Sequence, residues 1–197
     1  MSIDFNTCRM TKAGNIVTPK ARMGFPTLFT PRTAPGSDKA KFSISLVIPG
    51  KADLALLKKA AAEAAKAKWG DKLPAKMKSP FLKAAECEGD KGKHFPEELD
   101  AWTVLRPTSL QQPGIVDAQG HNVKDEKEVY SGRWCVASLR AFAYDTNGNK
   151  GVSFGLQNVQ ILDHDEGWGG MRAKAEDEFE PVGTAADGGK SGDSIFD

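Results

Sequence analysis

The chain has 197 residues, which suits one domain with a sizeable core, and its 27 Lys and Arg nearly balance its 26 Asp and Glu. The formal charge of +1 hides a polarity: residues 176–197 hold seven acids and one base, a net of −6, which leaves +7 on residues 1–175. A basic body with an acidic end suits a polyanion binder better than the overall charge implies. Cys8, Cys87 and Cys135 are odd in number and far apart, which argues against a disulfide framework and for a reducing compartment. The N-terminus lacks the basic and apolar blocks of a signal peptide. No apolar run is long enough to span a membrane, so a soluble cytoplasmic protein is expected.

In chain order, residues 1–13 read as a flexible N-terminal arm and Gly14–Thr18 as a short strand. Arg22–Thr30 mixes Met23, Phe25, Leu28 and Phe29 with Gly24 and Pro26, the pattern of a bent or bulged edge strand. Pro31–Asp38 reads as a loop. Lys41–Ile48 is a clear strand by alternation, with Phe42, Ile44, Leu46 and Ile48 on one face and Lys41, Ser43 and Ser45 on the other.

A helix is expected from about Ala52 to Lys68, with Asp53 as N-cap and a narrow stripe of Leu54, Leu57, Ala61, Ala64 and Ala65. Lys58, Lys59, Lys66 and Lys68 form its solvated face. Trp69-Gly70 ends it. From Leu73 to Pro113 five prolines interrupt every period. Within that stretch Glu86–His94 reads as a polar loop and Trp102–Arg106 as a strand. Gly114–Val116 reads as another strand, before a turn at Ala118–Gly120.

Val129–Tyr144 is a long strand by alternation. One face carries Trp134, Val136, Ser138, Arg140, Phe142 and Tyr144; the other carries Cys135, Ala137, Leu139, Ala141 and Ala143. The turn Asp145–Asn149 and a returning strand Gly151–Leu162 complete a hairpin. The whole is mainly β: an antiparallel sheet closing into a small barrel, with one helix inserted after the third strand and a disordered acidic C-terminal tail. Residues 14–175 form the folded domain and 176–197 the tail.

Aromatics beside cations on a sheet make a stacking platform for unpaired bases, which tolerates any sequence. Three such clusters occur: Trp134, Arg140, Phe142 and Tyr144; Lys20, Arg22, Phe25 and Phe29, with Arg32 beyond; and Trp102 with Arg106. Lys41 and Arg133 add cations for phosphates. The alternative is that Phe142 and Val136 belong to the core and Arg140 reaches out at its rim. The tail ends in Asp193-Ser194-Ile195-Phe196-Asp197, an apolar hook on an anionic segment. Asp193, Ile195, Phe196 and Asp197 are its expected partner-binding residues.

No metal or cofactor is expected, because His94, His121 and His164 are scattered and no Cys or His pair has ligand spacing. Asp117 and Asp125, with Lys127, admit a metal-dependent nuclease as an alternative from a different class. A pure protein-interaction module is another.

The segments Lys41–Pro49, Ala67–Pro74, Pro113–Asp117, Tyr130–Gly132 and Asn147–Gln160, with Ala175–Phe179 closing the set, resemble in order a bacteriophage family of OB-fold single-stranded DNA-binding proteins. Ala84–Gln112 departs from the family pattern. The resemblance implies an OB-fold-like five-stranded Greek-key barrel and sequence-independent binding of single-stranded DNA in phage replication, recombination or repair, inside a bacterial host. The apolar hook of the acidic tail is expected to take replication or recombination proteins as partners; a strand-annealing or mediator role is the alternative within nucleic-acid biology, and homo-oligomerisation is left open.

Overall fold

The computed structural model describes residues 4–34, 36–89, 92–93, 95–146 and 148–168. The expected tail, with Asp193, Ile195, Phe196 and Asp197, lies outside them. The strands are β1 (Arg9–Met10), β2 (Ile16–Val17), β3 (Ala21–Thr33), β4 (Ala40–Ile48), β5 (Leu82–Lys83), β6 (Glu88–Gly89), β7 (Gly92–Lys93), β8 (Thr103–Leu105), β9 (Thr108–Ser109), β10 (Gly114–Val116), β11 (Trp134–Thr146) and β12 (Asn149–Ile161). One α-helix, α1 (Ala55–Trp69), follows β4.

Five strands close a ring in the order β3-β4-β9-β12-β11 and back to β3. Numbered along the chain, the ring runs first, second, third, fifth, fourth, a Greek-key closure. Its sequence neighbours pair antiparallel, but the closing contact between β9 and β12, at Thr108 and Gly155, is parallel. The antiparallel sheet expected from the sequence is therefore corrected at that seam.

The ring interior holds Met23, Leu28, Ile44, Leu46, Ile48, Leu105, Leu139, Phe154 and Leu156, and Leu57, Ala61 and Ala65 of α1 pack into the same core. The thin alanine stripe lets α1 approach β11 and β12 closely. Leu54, not Asp53, is the N-cap; the Asp53 carboxylate accepts the Ala55 N–H from one position earlier, at 2.8 Å.

Three other expectations change. The strand at 22–30 is longer and is no edge: β3 pairs with β11 at its start and with β4 along its length. Its register slips between Gly24 and Thr27, where Phe25 takes φ 46°. That bulge accommodates Pro26, which has no N–H for a ladder. The strand at 129–144 begins only at Trp134, because Gly132 turns the chain at φ 105°. The arm is tied down from Phe5 onward: its carbonyl accepts Lys20 N–H at 2.8 Å, and β1 pairs with β2.

The polar face expected for β4 leaves water along its length: Lys41 is exposed, Ser43 half-buried and Ser45 buried. Val47 is fully buried on it, in a second core with Ala84, Cys87, Phe95, Leu99 and Val104. Residues 84–87 and 95–99 therefore fold over the outside of β4. Phe95 packs so closely there that a Cβ on Gly24 would lie 2.8 Å from its ring.

Candidate nucleic-acid interface

Cross-strand registers place Trp134 opposite Arg22, Arg22 opposite Val47, and Val47 opposite Val104. These four residues form a row across the outside of the ring, and the second core covers its Val47–Val104 half. The Trp134–Arg22 half is the first cluster of aromatics and cations. Lys20 Nζ lies 4.7 Å from the Trp134 ring centroid and the Arg22 guanidinium 5.6 Å from it. Trp102 reaches across to it, with ring centroids 6.1 Å apart. Members of all three sequence clusters, Trp134, Lys20 with Arg22, and Trp102, thus meet in one patch.

That patch is occupied by the chain itself. The segment 163–168, just past β12, lies over it as a strap. Asp163 takes Lys20 Nζ at 2.6 Å, and Asp165 takes the Trp134 indole N–H at 2.7 Å. Arg22 donates to the carbonyls of Gly132 and Glu166, both at 2.8 Å, with Asp165 at 3.4 Å. Trp168 anchors the strap: its ring lies edge-on to Phe95, and a Cβ on Gly132 would fall 2.7 Å from it. The Lys20 ammonium holds the Asp163 carboxyl below the usual carboxylate range. The Glu166 N–H and then the Trp134 indole do the same for Asp165, against partial desolvation.

The second cluster is open. On β11, Cys135, Ala137 and Leu139 face the core, while Arg140 and Phe142 are exposed and Tyr144 half-buried on the outside. The core alternative for Phe142 is thereby corrected: the ring is 43% exposed. Val136, by contrast, is buried. Opposite these residues β12 presents Gly151, Ser153 and Gly155, so the platform has low ground beside it. Among the described residues no carboxylate pairs with Arg140 or with the exposed Arg106.

The remaining candidates scatter. Phe25 is 44% exposed, with its ring 5.8 Å from Phe95. Phe29 packs partly into the main core. Arg32 and Lys41 stand directly opposite each other at the open end of β3 and β4, both exposed. Like charges in register repel, so this pair suits a site that an anion will occupy. Arg133 is corrected: it is 6% exposed. Its guanidinium binds the Glu128 carboxylate and backbone and the Leu162 carbonyl, so it holds the chain together instead of facing a phosphate.

The nuclease alternative loses its carboxylates. Asp117 folds its own turn, accepting the Gln119 and His121 N–H groups, each at 2.9 Å, which lowers its pKa. Asp125 caps Lys127 N–H at 2.9 Å. Among the described residues no group of three His, Cys, Asp or Glu is placed to hold a metal ion. No helix among them is long and apolar enough to cross a membrane.

Sequence reasoning did not single out Asp163, Asp165, Trp168, Lys78 or Phe81. The signals were there: an Asp-His-Asp-Glu run closing β12, and a Gly-x-Ser-x-Gly alternation along it.

Among proteins of curated function none matches the sequence. Solved structures do match the fold. The single-stranded DNA-binding protein of bacteriophage Enc34, in a complex with single-stranded DNA, superposes with TM-score 0.67 at 18% identity, covering 86% of this chain and 96% of that one. A second structure of that protein gives 0.66 at 19% identity, with 90% and 96% covered. Gp2.5, a single-stranded DNA-binding protein of bacteriophage T7, gives 0.55 at 14%, with 84% and 97% covered. Identities this low establish the architecture, an OB-fold barrel with one helix. The family model described as the single-stranded DNA-binding protein of Enterobacter phage Enc34 matches residues 14–190. With nearly the whole chain inside that match, the protein belongs to the Enc34 single-stranded DNA-binding protein family.

Proposed function

We propose that this protein binds unpaired DNA without reading its sequence, as a non-enzymatic participant in phage DNA replication, recombination or repair. The observation that carries the reading is the outer face of β11. There an exposed Phe142 sits between Arg140 and Tyr144 on a strand whose other face is packed core. A ring left in water on a rigid sheet, beside the Arg140 guanidinium that no carboxylate among the described residues holds, offers stacking to any base and a cation to its phosphate. OB-folds bind oligonucleotides partly through the loop between their fourth and fifth strands, and Phe142 and Tyr144 lie on the half of β11 that leads into that loop. Membership of the family supports the same reading.

The strap over Lys20, Arg22 and Trp134 adds a second, closed patch whose carboxylates stand where phosphates would. Residues 176–197 form a separate functional unit that recruits replication or recombination proteins through Ile195 and Phe196. Their charge competes with DNA for the basic body.

The test is a titration with a dT-rich oligonucleotide, followed by tryptophan fluorescence at low and high salt, beside a duplex of equal length. Binding that weakens steeply with salt and prefers the single strand supports the reading; no binding, with or without residues 176–197, removes it. Loss of residues 176–197 is expected to raise affinity and abolish partner capture.

A further inference from the structure

We infer that the groove between the 78–82 segment and the β11–β12 hairpin is a nucleotide pocket that takes one unstacked base of the bound strand. The inference rests on the single-stranded DNA reading above. The groove has a volume of about 500 Å³ and is lined by Lys78, Phe81, Glu86, Arg106, Tyr144 and Ser153. Small-ligand clefts run from about 300 to 1,000 Å³.

Its walls and floor have the chemistry of a base site. Phe81 stands edge-on to the buried Phe154, centroids 5.8 Å apart at 78°, so the core fixes the ring while it lines the groove. Tyr144 also lines the groove. It lies over Gly151, where an added Cβ would meet its hydroxyl at 2.6 Å. Ser153 keeps the floor low.

The pocket is built by pairing, not by a loose loop. Lys78 N–H donates to the Lys150 carbonyl at 2.9 Å, and Val152 N–H donates to the Lys78 carbonyl at 3.2 Å. Lys78 Nζ is held by Asn149 at 3.0 Å. Arg106 is exposed at the mouth with no carboxylate partner among the described residues. Two cations against the single carboxylate of Glu86 leave the rim positive. A groove lined by Phe81, Tyr144 and two cations complements a base and its phosphate better than a neutral apolar ligand.

The pocket continues the open platform: Ser153 pairs in register with Phe142. A strand stacked on Phe142 would therefore turn one base into the groove.

The experiment uses the full chain and a dT oligonucleotide carrying single 5-iodo-deoxyuridines. Irradiation should crosslink the probe to Phe81 or Tyr144. Phe81→Leu, which keeps apolar bulk against Phe154, and Arg106→Gln, at an exposed site, should each weaken binding about tenfold, within the range of one stacked base. Arg106→Gln keeps the test valid if Phe81→Leu does not fold. Wild-type affinity in both folded variants, with crosslinks confined to Phe142, overturns the pocket and leaves the DNA reading intact. An oligonucleotide that does not bind the wild-type chain overturns both.

Discussion

The indole N–H of Trp134 donates to the Asp165 carboxylate at 2.7 Å, tying the first residue of β11 to the segment that follows β12. The platform of aromatics and cations around Trp134 is thus folded against the chain's own acids, whereas Phe142 on the same strand face is open. Competition for Lys20, Arg22 and Trp134 follows from that contact. In Asp163→Asn/Asp165→Asn the strap loses both charges, and affinity for a dT oligonucleotide should rise several-fold, with greater tryptophan quenching. Equal affinity in the variant and the wild type would remove the strap from the binding equilibrium.

The strap should also respond to acid. Asp163 and Asp165 have folded pKa values below the ordinary 3.8. A depressed carboxyl contributes stability that is present above its unfolded value and lost as pH falls through the folded one. The strap should therefore stay closed at neutral pH and release only below pH 3.8. Both acids are exposed, so salt should loosen it as well. Tryptophan emission between pH 6 and 2 reports this, and the double Asn variant should lack the transition.

Phe142 and Phe154 lie on opposite faces of one hairpin and should separate binding from folding. Phe142→Ala removes an exposed ring, so stability should change by less than about 0.5 kcal/mol, while oligonucleotide binding should weaken by about 1–3 kcal/mol. Phe154 is 2% exposed, and Phe154→Ala should cost about 3–5 kcal/mol of stability. Urea unfolding and equilibrium titration measure the two effects.

Arg133 should behave as a structural residue. Its guanidinium bridges the Glu128 backbone and carboxylate to the Leu162 carbonyl. Arg133→Ala leaves those acceptors unpaired, at about 1–3 kcal/mol. The larger penalty of a fully buried pair does not apply, because Glu128 is half-exposed. Chemical denaturation should show the loss, and the salt dependence of DNA binding should be unchanged.

Arg32 and Lys41 should do the reverse. They repel across β3 and β4, so Arg32→Ala should leave stability unchanged or slightly raised. If each cation holds one phosphate, each alanine variant should reduce the slope of log affinity against log salt by about one. An unchanged slope would place the strand's path elsewhere.

Local chemistry made much of this protein legible from its sequence. Alternation gave β4 and β11, the alanine stripe gave α1, and the Asp-Thr-Asn-Gly-Asn turn gave the hairpin, because each pattern lies within a few residues. The outward position of Phe142 and Arg140 stayed open in the sequence, because both faces of that strand carry apolar residues; burial of Cys135, Ala137 and Leu139 in the ring core decides it. What local pattern could not carry was any pairing between distant segments. The prolines between 73 and 113 erase periodicity, so the second core over Val47 emerges only when Phe95, Leu99 and Val104 are brought onto β4. Burial of Arg133 depends on Glu128 and Leu162, and closure of the Lys20–Trp134 patch depends on Asp163 and Asp165 beyond the last strand. Residue type and spacing determined which side chains are able to stack bases and hold phosphates. Tertiary structure decided which of them are in water, because a cation or a ring becomes available or occupied only through neighbours that the fold brings to it.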